Sequence, residues 1–110
     1  MSSKLLVIIG TSDREKALSG LMYSRNTLRY KWFDKVRVVF FGPSERLAAH
    51  DEEVSNRAKE IAAITDCFAC KAISDAANVS ENLAEIGMKV IYVGDVISDS
   101  IKEGYVPMVW

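Results

Sequence analysis

The chain has 110 residues, enough for one domain with a core of its own. Hydrophobic residues make up 49% and charged residues 26%, the balance of a globular protein rather than a disordered one. With 14 basic residues against 15 acidic ones, no basic excess exists to neutralise a phosphate backbone, which argues against nucleic-acid binding.

Met1 to Lys4 leads straight into the apolar run Leu5 to Ile9. That run is too short to span a membrane, and no small-residue cleavage site follows it. No membrane segment is expected, and two cysteines in a chain of this length do not make a disulfide framework, so a reducing cytoplasm is the expected setting. Leu5 to Ile9 reads as a strand buried on both faces, ending in Gly10-Thr11-Ser12. Asp13 is placed to cap a helix whose apolar positions Leu18, Leu21, Met22 and Leu28 fall on one side. Arg25 interrupts the stripe, as a snorkelling side chain or as a charge pointed into a cleft or partner. Tyr30, Trp32 and Phe33 then cluster, either as a satellite core or, if exposed, as a subunit contact.

Val36 to Phe41 is the second predicted strand, closed by Gly42-Pro43. Ser44 is expected to cap a short turn through Leu47, and Asp51 a helix carrying Val54, Ala58, Ile61 and Ala62. The apolar segment Cys67-Phe68-Ala69 then runs into Cys70 and a helical stretch from Lys71 to Ala77. Ser80 is expected to cap a short helix, Glu81 to Ile86, stopped by Gly87. Met88 to Val93 is the fourth predicted strand, followed by Gly94-Asp95, a brief helix through Ile101 and Lys102, and a final strand, Tyr105 to Trp110. Pro107 cannot donate to a ladder, so this strand belongs at an edge, where an apolar strand is also a natural place for self-association.

Alternating strands and helices, with several strands apolar throughout, predict a three-layer α/β/α sandwich on a mainly parallel five-stranded sheet, residues 1–110 forming a single domain. Right-handed crossovers place the carboxyl ends of the strands on one rim. Thr11, Ser12, Gly42, Pro43, Cys70, Lys71, Gly94 and Asp95 stand there, and any pocket is expected among them.

Cys70 is the residue with the most chemistry to offer. A thiol between a strand end and a helix start meets a field that favours negative charge, and so the nucleophilic thiolate. Cysteine is also among the most buried residue types, which leaves packing open as a second reading. The Cys67-Phe68-Ala69-Cys70 spacing suggests a redox pair or half a zinc site. In an extended segment, however, three residues span roughly 10 Å and the two side chains point to opposite faces. Two cysteines and one distant histidine, His50, are too few for a zinc site, so no metal is expected. His50 itself reads as a solvated surface residue rather than a general base. Gly10-Thr11-Ser12-Asp13 has neither the dinucleotide fingerprint nor the lysine of a phosphate loop, so no cofactor is expected there.

In this order the segments resemble the DsrE/DsrF-like family, which includes sulfurtransferase subunits of the TusBCD type. The resemblance covers nearly the whole chain: Leu5 to Gly10, Lys16 to Met22, Val36 to Gly42, Phe68-Ala69-Cys70-Lys71-Ala72, and Val93-Gly94-Asp95 with Glu103-Gly104-Tyr105. It implies a small parallel α/β domain that assembles into dimers, trimers or hexamers. It also implies a persulfide on the cysteine that Cys70 matches, with sulfur passed between a donor and an acceptor protein. Some members lack this cysteine and serve as structural subunits. Here the arginine pair and glycine that follow the cysteine in sulfur-carrying members are absent. Asn78 fills the glycine's place, while Lys71 and the helix dipole are left to stabilise a thiolate. The resemblance therefore implies an intracellular sulfur-relay protein, possible sulfurtransferase included. The alternatives are a non-catalytic oligomeric subunit and a small-ligand-binding module of the same fold.

Overall fold

The computed structural model describes residues 2–110, and Met1 lies outside them. The elements are β1 (Lys4–Ile9), α1 (Arg14–Tyr30), β2 (Lys35–Phe40), α2 (Ser44–His50), α3 (Glu52–Ala62), β3 (Cys67–Cys70), α4 (Lys71–Ala76), α5 (Ser80–Ile86), β4 (Lys89–Ile91), α6 (Gly94–Lys102) and β5 (Val106–Val109). The five strands form one sheet in the order β4-β3-β2-β1-β5. Every neighbouring pair is parallel, so the sheet is wholly rather than mainly parallel. Helices lie on both sides of it, as the three-layer sandwich requires.

Strand alternation divides the apolar residues between two clusters. Leu5, Val7, Ile9, Val38, Phe40, Cys67 and Ala69 face a large core shared with α1, α2, α3 and α5, which touch one another across that layer. Leu6, Val39, Phe68 and Cys70 face a smaller cluster with Val93 and Tyr105, packed by Ile73 of α4 and by Val96 and Ile97 of α6. Seventeen buried residues make the first cluster and six the second, so most of the burial free energy lies on the α1–α3 side.

Asp13 and Asp51 cap α1 and α3 as their positions predict: Asp13 accepts from the Lys16 N–H and Asp51 from the Val54 N–H, each at 3.0 Å. Ser44 and Ser80 do not act as caps. Each is the first residue inside its helix, and the preceding Pro43 and Val79 occupy the cap positions. The Ser44 hydroxyl instead donates to the Ile9 carbonyl at 2.5 Å, tying α2 to the end of β1, and that of Ser80 donates to Asp75 at 2.5 Å. Met22, expected in the stripe of α1, is 59% exposed, because the core side of that helix runs through Ala17, Gly20, Leu21, Ser24 and Thr27. Gly20 is required there: a Cβ would stand 2.6 Å from Ile9 Cδ1 and 2.7 Å from Trp110 Cγ. Arg25 is accounted for by an ion pair with Glu60 of α3 at 3.4 Å.

The strand expected over Met88 to Val93 is shorter, because β3 offers only Phe68, Ala69 and Cys70 as partners for Lys89, Val90 and Ile91. Tyr105 precedes β5 and is buried under Arg37, whose guanidinium stands 4.5 Å from the ring centroid. β5 pairs only with β1 and is an edge, as Pro107 demands. Trp110 donates to the Ile8 carbonyl and accepts from the Gly10 N–H, so by the two-residue period the Pro107 nitrogen faces the open side. The proline removes a donor from the edge and blunts strand-to-strand association there. Of the aromatic cluster after α1, Phe33 packs on the main core, whereas Tyr30 and Trp32 are exposed and stack with centroids 5.7 Å apart. Among the described residues, no helix is long and apolar enough to cross a membrane.

Candidate functional site

Because all five strands run the same way, their carboxyl ends do form one rim. Read along the sheet, it carries Gly94 and Asp95 after β4, Cys70 and Lys71 at the end of β3, Gly42 and Pro43 after β2, and Thr11 and Ser12 after β1. These residues are not gathered into one pocket.

Cys67 and Cys70 are both free thiols and lie in different clusters on opposite faces, which rules out a disulfide between them in this fold. Cys67 is 2% exposed among core side chains, and burial pushes its thiol up to about 12. It is packing. Cys70 is the extended residue that precedes α4, and its side chain makes no capping hydrogen bond. It is 7% exposed. Ile91 is its partner on β4, and Phe41 follows Phe40, the partner of Ala69, on β2. Cys70 is thus flanked by Phe41 and Ile91, which are 45% and 40% exposed.

The features expected to activate Cys70 are weaker than its position suggests. Lys71 is engaged by Asp75 at 2.6 Å, an i to i+4 pair that raises the lysine and, with Ser80, holds Asp75 below the usual carboxylate range. The α4 helix has six residues, so its dipole is short. Asn78 does adopt the left-handed backbone, with φ 57°, and lets the chain turn from α4 into α5 where a glycine would otherwise stand. Among the described residues, no group of three or more His, Cys, Asp or Glu is placed to hold a metal ion.

Ser12 and Pro43 are the two rim residues that come together. With Arg46, Leu47, His50 and Asp51 they line a shallow cleft of about 420 Å³ between the β1–α1 loop and α2. The floor of this region is stiff: Ser44 bonds to Ile9 and Gly10, and Gly10 and Gly42 touch backbone to backbone, a Cβ on either meeting a carbonyl oxygen at 3.1 Å. Gly42, at φ 121°, also needs the conformational freedom of glycine. The Val54 N–H and Arg14 hold Asp51 below its ordinary range. Sequence reasoning passed over Arg46, named Leu47 only as the end of a turn, and read His50 as a solvated surface residue. The signal was available in their spacing from Pro43, which puts 43, 46, 47 and 50 on one side of a helix whose buried side is Ser44, Glu45 and Ala48.

Glu45 is the other residue the sequence hid. It is fully buried, one carboxylate oxygen accepts from the Gly42 N–H at 3.2 Å, and the other has no hydrogen-bond partner. Burial pushes its carboxyl up to about 7, against the smaller opposing effect of the Gly42 bond.

No family model matches the chain, and neither does any curated protein. The resemblance to DsrE/DsrF-like proteins therefore rests on the residues that carry it. Among solved structures the fold is similar to that of BT1422 from Bacteroides thetaiotaomicron, a conserved protein of unknown function, with a TM-score of 0.85 and 22% identity over 97% of this chain and 95% of that one. At that identity the likeness shows the fold: this chain is a single-sheet parallel α/β protein built like BT1422.

Proposed function

We propose that the chain is a non-catalytic, self-associating α/β subunit, the structural variant of the DsrE/DsrF-like pattern, in which a second copy covers the sparsely packed face of the sheet. The observation that supports this is the unequal cover. Parallel sheets are ordinarily buried on both faces, yet here one face has four helices and the other has α6 with Ile73 of α4 beside it. Phe41 and Ile91 remain nearly half exposed as a result, and Val109 is 69% exposed. A stable interface takes roughly 800 Å² from each partner, and these side chains with the half-buried Ile8, Ile73, Val96 and Ile97 supply its apolar centre. The burial of Cys70 and the pairing of Lys71 with Asp75 support the non-catalytic half of the reading.

Light scattering after gel filtration tests it. The wild type is expected as a dimer or larger, and Phe41→Asp with Ile91→Asp as a folded monomer. A monomeric wild type at roughly 100 μM, a concentration at which standard-size interfaces are occupied, overturns the proposal.

A second reading has its own observation. Cys70 makes no capping hydrogen bond and lies between two exposed apolar side chains at the end of its strand, where a docked donor would meet it. In a sulfur relay the Cys70 thiolate attacks the outer sulfur of a donor persulfide. A new S–S bond forms at Cys70, the donor's S–S bond breaks, and the donor leaves as a thiolate. Intact mass after incubation with a sulfane donor distinguishes the two: one added sulfur, lost in Cys70→Ser, supports relay chemistry. An unmodified native thiol that labels only after denaturation supports the structural role.

A further inference from the structure

The cleft between the β1–α1 loop and α2 has no part in either reading, and its lining is chemically uneven. Pro43 and Leu47 give it an apolar wall, Ser12 a hydroxyl, and Arg46 and His50 its basic side. Arg46 forms no ion pair among the described residues. The single acid in the lining, Asp51, is already neutralised by Arg14 at 2.7 Å. The neighbouring groove along α3 is larger, about 560 Å³, and differs in kind. Its two arginines, Arg14 and Arg57, are paired with Asp51, Glu53 and Glu60, leaving it no free cation.

From this we infer that the Ser12–Pro43–Arg46–Leu47–His50 cleft binds a small organic anion, its acidic head group on the Arg46 guanidinium and its apolar body on Pro43 and Leu47. Arginine presents a planar fork of donors that matches a carboxylate or a phosphate. The volume lies near the lower end of the usual range for small-molecule sites, roughly 300–1,000 Å³, so the ligand is a compact metabolite-sized acid rather than a dinucleotide. The cleft lies on the rim formed by the carboxyl ends of the strands, beside β1 and β2 rather than at the β1/β5 switch point of the sheet. The stiff Ser44–Ile9 and Gly10–Gly42 contacts fix the two walls before any ligand arrives, which limits the ordering cost of binding.

Amide chemical-shift titration of the full chain tests this with four probes: benzoate, phenyl phosphate, inorganic phosphate and benzyl alcohol. Benzoate or phenyl phosphate should shift the signals of Ser12, Leu47 and His50, and the stronger of the two names the head group. Benzyl alcohol and inorganic phosphate each lack half of the ligand and should bind at least about tenfold more weakly. Arg46→Gln, at an exposed position that leaves the fold intact, should weaken the acid by at least about tenfold, and Arg46→Lys by less. No shift with either aromatic acid, unchanged affinity in Arg46→Gln, or inorganic phosphate binding as tightly as phenyl phosphate overturns the proposal. The oligomeric state is read separately, so failure here leaves the subunit reading standing, and the converse holds.

Discussion

The sheet face that carries Val7, Val38 and Phe40 lies under α1, α2, α3 and α5, whereas the face that carries Leu6, Val39 and Phe68 lies under α6 and one side chain of α4. In sequence the second face is the less apolar: by strand alternation β1 and β2 give the first face Leu5, Val7, Ile9, Val36, Val38 and Phe40, and the second Lys4, Leu6, Ile8, Lys35, Arg37 and Val39. The difference in helix cover comes from where the crossovers fall. Three of the four connections place their helices against the first face, and only the last, from β4 across to β5, returns over the second. An apolar strand residue on that second face is therefore buried where α6 crosses it and exposed elsewhere.

Adjacent phenylalanines put the sharpest test on this contrast. Phe40→Ala on the covered face should cost about 3–5 kcal/mol in denaturant unfolding, the range for a fully buried aromatic. Phe41→Ala, one residue on and half exposed, should cost less than about 1 kcal/mol in the monomer while weakening self-association. Equal losses would mean that the second face is as closed as the first.

Glu45, at the buried side of α2, gives the covered face a pH dependence. Its folded carboxyl sits near pH 7, above the ordinary value of 4.5, so the folded state holds the proton more tightly than the unfolded one. Its contribution to stability is complete below about pH 4.5 and is lost as pH rises through 7. Allowing for partial screening, the loss is roughly 2 kcal/mol. Glu45→Gln should remove that slope between pH 5 and 8 in urea titrations, and a variant as pH-sensitive as the wild type would show that the carboxylate finds solvent.

The two cysteines should respond to one substitution with opposite signs. Cys67→Ser places a hydroxyl among Val38, Ala69 and other core residues and should cost about 1–3 kcal/mol. Cys70→Ser puts a preferred capping residue at the start of α4, where sulfur makes no capping bond, and should be neutral or stabilising by about 0.5 kcal/mol. Thermal denaturation of both variants side by side reads the difference. A large loss at Cys70 would place it in a core as tight as that of Cys67.

Smallest is the effect at Asn78. Its φ of 57° is tolerated by asparagine and free for glycine, so Asn78→Gly should change stability by less than about 0.5 kcal/mol. Asn78→Ala should lose about 1 kcal/mol at the same position.

Much of the fold was legible in the chain itself. Strand runs without alternation announce a parallel sheet buried on both sides, Asp13 and Asp51 mark helix starts, and Pro107 sends its strand to an edge. Local chemistry sufficed for each of these, because cap bonds, backbone donors and strand period are properties of a few neighbouring residues. The opposite orientation of Cys67 and Cys70 followed from the same period.

The cleft and the buried carboxylate were not legible, since both depend on segments distant in sequence. Ser12 meets Pro43 only because β1 and β2 are neighbours in register, and Glu45 loses its solvent only because α2 is pressed against α3 and α5. Ser44 and Ser80 had the right residue type for a cap, but a tertiary contact with Ile9 claimed the hydroxyl of Ser44, and Asp75, five residues back, claimed that of Ser80.

By itself, then, the sequence determined the order and kind of the elements, the parallel sheet and the rim on which Cys70 stands, because these follow from short-range sterics and hydrogen bonding. Only the tertiary structure decided how much of that rim is open: packing leaves Phe41 and Ile91 in solvent, closes over Cys70, and shapes a cleft beside Arg46. Burial is a sum over contacts from many distant segments, and no local pattern of residues contains it.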